Sequence, residues 1–225
     1  MERSTGCSIW RQRWSTSGTQ QFEVHALMTP LGEALLLIAA ACTDLGQPLC
    51  LVGGLAVSAR AEPRMTRDAD LAMSVGDDAA AEALIMKLGQ FGYVVEALVE
   101  QTATRRLATV RLRNDATPGL LTDLLFASSG IESEMVAAAE MLWVLPGVEF
   151  PVATVGYLIA LKLLARDDRH RPNDADDLAA LRTVASVDDW QVAAEAVHLI
   201  ESRGFDRGRD LRGALSRLID HGAFQ

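Results

Sequence analysis

The stretch LVGGLAVSARAEPRMTRDADLAMS, residues 51–74, joins an apolar strand, two adjacent glycines, a helical pattern and, fourteen residues after Gly54, the paired acids Asp68 and Asp70. A strand that halts on two glycines and restarts at once as a helix makes a tight corner. Without Cβ atoms, Gly53 and Gly54 let backbone amides approach a ligand closely, and the helix start adds partial positive charge, so phosphate fits there. The plain alternative is a tight turn with no ligand. On a strand, residues two apart face the same way, so Asp68 and Asp70 project together. Adjacent carboxylates repel unless a cation holds them, and a hard divalent ion such as Mg²⁺ relieves that repulsion. The alternative there is the solvated polar face of an edge strand.

A third acid, Asp123, interrupts the apolar run LLTDLLF, where a charge is costly without a partner. Three carboxylates on neighbouring strands suit a two-metal phosphoryl-transfer site. Arg64 and Arg67 flank Thr66 just before the acid pair, close enough to offer bidentate donors to triphosphate oxygens, or else to form a charged surface loop. Arg105, Arg106, Arg111 and Arg113 form a basic strand pair that is either a solvated face or a path for an RNA acceptor.

The 225 residues allow one large domain, or one domain with an appendage. With 49% hydrophobic and 23% charged residues the chain is not disordered throughout. A net charge of −9 and a pI near 4.9 exclude bulk coating of nucleic acid, so any polyanion has to be met by a local cluster of arginines. Three cysteines are too few for a disulfide framework or a four-ligand zinc site, and cytoplasmic residence is the expectation. The longest apolar run, 35–42, is far short of the roughly 20 residues that span a bilayer, and it starts too late to be a signal peptide. No membrane association is expected. Only two lysines occur, Lys87 and Lys162, so a lysine inside the apolar segment 158–165 stands out. Its bland reading is a side chain that snorkels from a core helix. Asp174, Asp176 and Asp177 suit the first turn of a helix, where acids complement the dipole.

Periodicity predicts a polar arm over 1–28, then a helix over 30–45 with Thr29 as N-cap and Gly46 as stop. Strands are expected over 48–52, 68–74, 93–99, 107–113, 120–126, 141–145 and 148–152, with helices over 55–61 and 77–91 and a short helical piece after Gly130. From 154 onward every segment reads helical: 154–166, 174–184, 187–203 and 205–221. The expected class is α+β, a mixed sheet with flanking helices over 29–152 and a helical C-terminal domain over 153–225.

The order strand, Gly-Gly, helix, then Arg-x-Thr-x-Asp-x-Asp and a later strand with one Asp resembles the polymerase-β-like nucleotidyltransferase superfamily. The segment TVGYLIALKLLARDDRHRPNDADDLAAL narrows this, because it looks like that of AbiEii-type nucleotidyltransferases, the toxins of type IV toxin–antitoxin pairs. The resemblance covers about residues 30–185. It implies that Asp68, Asp70 and Asp123 bind two Mg²⁺ ions, and that Gly53, Gly54, Arg64, Thr66, Lys162 and Asp174 seat the nucleotide. Asn173 departs from the pattern, which usually has lysine before the first aspartate of this helix. The implied reaction moves a nucleoside monophosphate from an NTP, ATP among the candidates, to an acceptor hydroxyl and releases pyrophosphate. RNA, tRNA 3′ ends among them, is the implied acceptor, and an antitoxin the implied partner. Two other readings stand beside it: a small-molecule enzyme acting on an aminoglycoside-like acceptor, and a non-catalytic binding module of the same fold.

Overall fold

The computed structural model describes residues 29–63, 66, 68–166 and 173–220. The expected arm over 1–28, Arg64, Arg67 and the 167–172 stretch with Arg169, His170 and Arg171 lie outside the described residues.

Helix α1 (Pro30–Asp44) starts and stops on the predicted signals. The Thr29 hydroxyl oxygen accepts from the Gly32 N–H at 3.2 Å, Pro30 opens the helix, and Gly46 follows with a φ of +66°. Next come β1 (Leu49–Val52), α2 (Gly53–Arg60), β2 (Ala69–Met73) and α3 (Asp78–Leu88), with Asp77 capping α3. Strands β3 (Tyr93–Glu100), β4 (Leu107–Asn114) and β5 (Leu121–Leu125) follow, then α4 (Glu132–Ala137) and the hairpin of β6 (Glu140–Leu145) and β7 (Val148–Val152). Four helices complete the described chain: α5 (Val155–Ala165), α6 (Asn173–Val184), α7 (Val187–Ser202) and α8 (Leu211–Asp220).

The seven strands form one mixed sheet in the order β3-β4-β5-β2-β1-β7-β6. The centre is buried: every residue of β1 is covered, and in β4 Ala108, Val110, Leu112 and Asn114 alternate inward with half-exposed neighbours. That alternation is the period of two read from the sequence. β2 runs parallel to β5 and antiparallel to β1, and β1 runs parallel to β7. Helix α1 packs near β7, α4 on β2 and β1, and α2 on β1, β2 and β6, while α5 packs against α7, α6 and α2. The buried apolar side chains of sheet and helices form one contiguous core that includes Leu35, Leu71, Phe150, Leu158 and Ile200. Among the described residues no helix is long and apolar enough to cross a membrane.

Several boundaries depart from expectation: the helix expected to run to 91 ends at Leu88, the strand expected from 68 starts at Ala69, and two further departures bear on the site. The glycines do not precede α2; they are its first residues, with Val52 as N-cap. Gly53 can enter the helix at a φ of +67° because it carries no Cβ. The last helix starts at Leu211, not at 205. Arg207 and Gly208 take φ values of +57° and +69°, which a right-handed helix excludes, and the Asp206 carboxylate accepts from the Gly208 N–H at 3.0 Å. Asp210 then accepts from the Gly213 N–H at 2.8 Å and opens α8.

Candidate active site

The cleft opens over the C-terminal end of β1 and the paired strands β2 and β5. Antiparallel pairing sets Val52 opposite Asp70, and parallel pairing sets Asp70 opposite Asp123. Neighbouring strands lie about 4.8 Å apart and paired residues share a face, so these two carboxylates stand side by side. Asp68, just before β2, lies two residues from Asp70, and all three acids line one cleft of about 650 Å³ with Gly53, Gly54, Thr66 and Lys162. Thr66 is held near the acid pair by its hydroxyl, 3.5 Å from the Asp68 carbonyl oxygen. The acids differ in cover: Asp68 is exposed, Asp70 half-buried and Asp123 8% exposed.

Gly53 is required by contact as well as by conformation. A Cβ there would lie 1.9 Å from Asp70 Oδ2, 2.6 Å from its Cγ and 2.8 Å from its Cβ. The glycine backbone therefore lies directly against the acid, and the corner read as a phosphate cradle is also the floor under a carboxylate.

Asp123 is engaged by a cation of the chain itself. Arg111 lies opposite it in the β4–β5 register, with Nε donating to Oδ1 at 2.8 Å and Nη2 to Oδ2 at 2.7 Å. This two-pronged bond, then the Asp123 charge and, more weakly, the charges of Asp68 and Asp70, raise the arginine pKa further above its ordinary value. Two other arginines of this region are also paired. Arg106 Nε donates to Asp78 at 3.0 Å, and Arg113 pairs with Glu96 and Asp115. The basic strand pair expected from the sequence is thus largely neutralised, because Arg106, Arg111 and Arg113 each lie next to an acid that tertiary pairing brings in.

Lys162, 6% exposed, reaches the cleft from α5. Its Nζ lies 2.9 Å from Asp174 Oδ1 and 2.6 Å from Asp177 Oδ2, and both acids are 2% exposed. The lysine does not snorkel, and Asp174 and Asp177 are not solvated caps. They form a buried ionic knot that ties α5 to α6 beside the cleft. Burying one charge requires its partners, and removing either side leaves a costly ion.

A further wall comes from residues the sequence did not single out. Ser128 and Ser129 follow β5 and line the cleft. Their N–H and O–H groups all donate to Glu132 Oε1, at 2.8, 3.0, 2.7 and 2.9 Å, so one buried carboxylate fixes the turn. Arg207, also in the lining, donates from Nη2 to the Ser128 carbonyl oxygen at 3.2 Å. Its loop is seated by Phe205 on Gly130, where a Cβ would come within 2.5 Å of the ring. The serine and glutamate signal, SSGIE, is visible in the sequence, but nothing there brings Arg207 to it across some eighty residues.

Chemically the arrangement offers a hard, anionic oxygen donor set from two adjacent strands, a backbone corner without side chains, and cations at the rim. The oxygen donors suit Mg²⁺ and not a soft metal. Among the described residues no three His, Cys, Asp or Glu side chains are drawn close enough to enclose an ion. Asp123 faces its arginine instead, and the three carboxylates of the cleft are the donor type that a hard divalent cation takes.

A family model described as "Nucleotidyl transferase AbiEii toxin, Type IV TA system" matches residues 35–222. Among solved structures the chain is similar to an antigenic nucleotidyltransferase-like protein from Paracoccidioides brasiliensis, at 16% identity over 83% of this chain and 92% of that one, with a TM-score of 0.49. It is similar to ANT(2″)-Ia in complex with adenylyl-2″-tobramycin at 18% identity, 84% and 98% coverage and a TM-score of 0.46. MenT4, a nucleotidyltransferase toxin from Mycobacterium tuberculosis H37Rv, matches at 16% identity, 83% and 93% coverage and a TM-score of 0.32. At these identities and TM-scores the likenesses are distant. No curated protein is significantly similar in sequence.

Proposed function

The chain belongs to the AbiEii family of nucleotidyl transferase toxins of type IV toxin–antitoxin systems, and from that premise we propose a divalent-metal-dependent enzyme that moves a nucleoside monophosphate from an NTP to an acceptor hydroxyl. The observation that carries this is the side-by-side register of Asp70 and Asp123, with Asp68 in the same cleft and the Gly53 backbone against Asp70. Asp68 and Asp70 would hold both ions and Asp123 would share one of them. Bound there, Mg²⁺ supplies charge neutralisation on the nucleotide phosphates and on the departing pyrophosphate.

The chain's own groups do the positioning. Gly53 and Gly54 present backbone N–H groups of the first turn of α2 to the triphosphate, aided by the positive end of that helix. Thr66 borders the same path, and Arg64, on the family resemblance, would seat the triphosphate with it. Lys162, held by Asp174 and Asp177 at the cleft wall, would offer its ammonium to the triphosphate. Asp123 would ease loss of the acceptor hydroxyl's proton as the new oxygen–phosphorus bond forms and the bond to pyrophosphate breaks. Positioning and charge supply most of the acceleration in such transfers.

RNA, tRNA included, is the proposed acceptor, which Arg207 and the Ser128–Ser129 turn of the cleft lining would contact, and an antitoxin is the expected partner. One observation favours a second acceptor class. With Arg106, Arg111 and Arg113 all paired to acids, β4 presents no free basic stripe, and a small cationic acceptor of the aminoglycoside type suits a chain of net charge −9.

The test incubates the protein with each labelled NTP and Mg²⁺ against total tRNA and, separately, a set of aminoglycosides, beside Asp68→Ala. Label on RNA that Asp68→Ala abolishes supports the first reading, and label on the small molecules alone supports the second. Equal behaviour of the wild type and Asp68→Ala with every acceptor overturns both.

A further inference from the structure

We propose that Arg111 neutralises Asp123 when no metal is bound, and that a divalent ion gains both Asp123 oxygens at once only by displacing it. The inference rests on the reading of the trio as metal ligands. Three adjacent strands, β4, β5 and β2, place Arg111, Asp123 and Asp70 in one row. Both Asp123 oxygens are occupied by the arginine fork, at 2.8 and 2.7 Å. A metal that takes both oxygens at once needs the lone pairs the fork uses, so the fork has to open first. Asp68 and Asp70 act on the same guanidinium through their charges. Arginine does not lose its proton in proteins, so the competition cannot be relieved by titration and ends only when the side chain turns away.

The two partners differ in which can move. The Arg111 side chain is 43% exposed and that of Asp123 is 12% exposed. The acid is fixed within the sheet while the guanidinium has open solvent beside it, so the arginine leaves and the ligand stays. Arg113, two residues on, pairs with Glu96 and Asp115, and Arg106 pairs with Asp78, all outside the trio. Of these β4-region cations, Arg111 is therefore the one set against a proposed metal ligand. Its effect is to hold like charges together at low metal concentration, at the expense of weaker metal binding by the empty enzyme. Arg111 is on this account a positioning residue, and its removal should tighten metal binding, the opposite of what loss of a simple brace for Asp123 produces.

Mn²⁺ binding to the full chain without nucleotide, followed by electron paramagnetic resonance and calorimetry, distinguishes the cases. Arg111→Gln keeps a hydrogen-bonding group beside Asp123 but no charge, and is expected to bind Mn²⁺ roughly tenfold more tightly than wild type, since a charged hydrogen-bond pair no longer has to open. Arg111→Lys, charged but unable to form the fork, should fall between them. Metal-free Arg111→Gln should melt below wild type and recover more on adding Mn²⁺. Asp123→Asn should lose most of the binding. If Arg111→Gln binds Mn²⁺ no better than wild type while Asp123→Asn loses it, the displacement idea fails and the metal-ligand reading survives. If Asp123→Asn binds like wild type, the ligand reading fails and the inference goes with it. Should Arg111→Gln not fold even with Mn²⁺, the affinity of Arg111→Lys decides: tighter than wild type supports displacement, equal or weaker overturns it.

Discussion

Replacing Gly53 with alanine separates two costs that the structure puts at one atom. The backbone cost comes from a φ of +67°, which for an L-residue is about 1–2 kcal/mol. The contact cost comes from a Cβ placed 1.9 Å from Asp70 Oδ2 and 2.8 Å from Asp70 Cβ. Rotation about the Asp70 χ1 bond moves the carboxylate but leaves its Cβ in place, so the side chain alone cannot clear the methyl group and the backbone has to shift. Forced overpacking of this kind costs about 1–3 kcal/mol. Gly46→Ala is the matched control, because its φ is +66° and nothing lies within 4 Å of the added methyl. For a chain of this size each kcal/mol moves Tm by about 2–4 °C. Gly46→Ala should therefore melt about 2–8 °C below wild type with normal nucleotidyl transfer, and Gly53→Ala should melt lower still. A ligand displaced by about 1 Å costs on the order of 100-fold in rate, and Gly53→Ala should lose that much label transfer. If Gly53→Ala melts with Gly46→Ala and keeps its activity, the Gly53–Asp70 contact does not shape the site.

The ionic knot predicts that Lys162→Met destabilises as well as inactivates, by about 3–5 kcal/mol, because two buried carboxylates are left facing each other; urea unfolding reads this, and Asp174→Asn with Asp177→Asn should restore part of it. Burial pushes the Cys42 and Cys50 thiols up to about 12, Cys50 with a smaller push from Glu132. In a Cys7→Ser background at pH 8, neither should react with a thiol reagent until the chain unfolds, and fast native labelling would contradict this. Glu134 is held below its ordinary pKa chiefly by its bond from Arg203 Nη2 at 2.6 Å. A depressed carboxyl stabilises the fold above its unfolded pKa and loses that contribution as pH falls through its folded one. Between about pH 5 and pH 3 the wild type should lose a few tenths of a kcal/mol relative to Glu134→Gln, a small effect because both groups are partly solvated.

The elements were readable in the sequence wherever a local signal sets them. Thr29, Pro30 and Gly46 frame α1, and the alternation of β4 matches its burial residue for residue. Asp68, Asp70 and Asp123 were readable as candidates because a carboxylate in an apolar strand needs a reason. Their common cleft follows from the β2–β5 pairing, which the spacing of two strands fifty residues apart does not fix. The arginines were misleading for the same reason: their partners Asp78, Glu96 and Asp123 are brought in by tertiary pairing, so a run that reads as basic is locally balanced. The expected last helix is too long because its apolar spacing continues through Phe205, yet that ring belongs to a loop and packs on Gly130. Arg207 could not be found at all without the fold, since its value lies only in where its loop lands.

The matched pairing of Asp70 with Asp123 has a corollary for how this protein can go wrong. Successive strand residues face opposite ways, so a slip by a single position between β2 and β5 would turn one acid away from the other. A chain trapped in that arrangement could retain much of its hydrogen bonding and yet be catalytically silent. On the proposed reading of these acids, side activity from misassembled copies would be suppressed by geometry itself: the sheet closes in the one alignment that brings the two carboxylates together, or it brings none together.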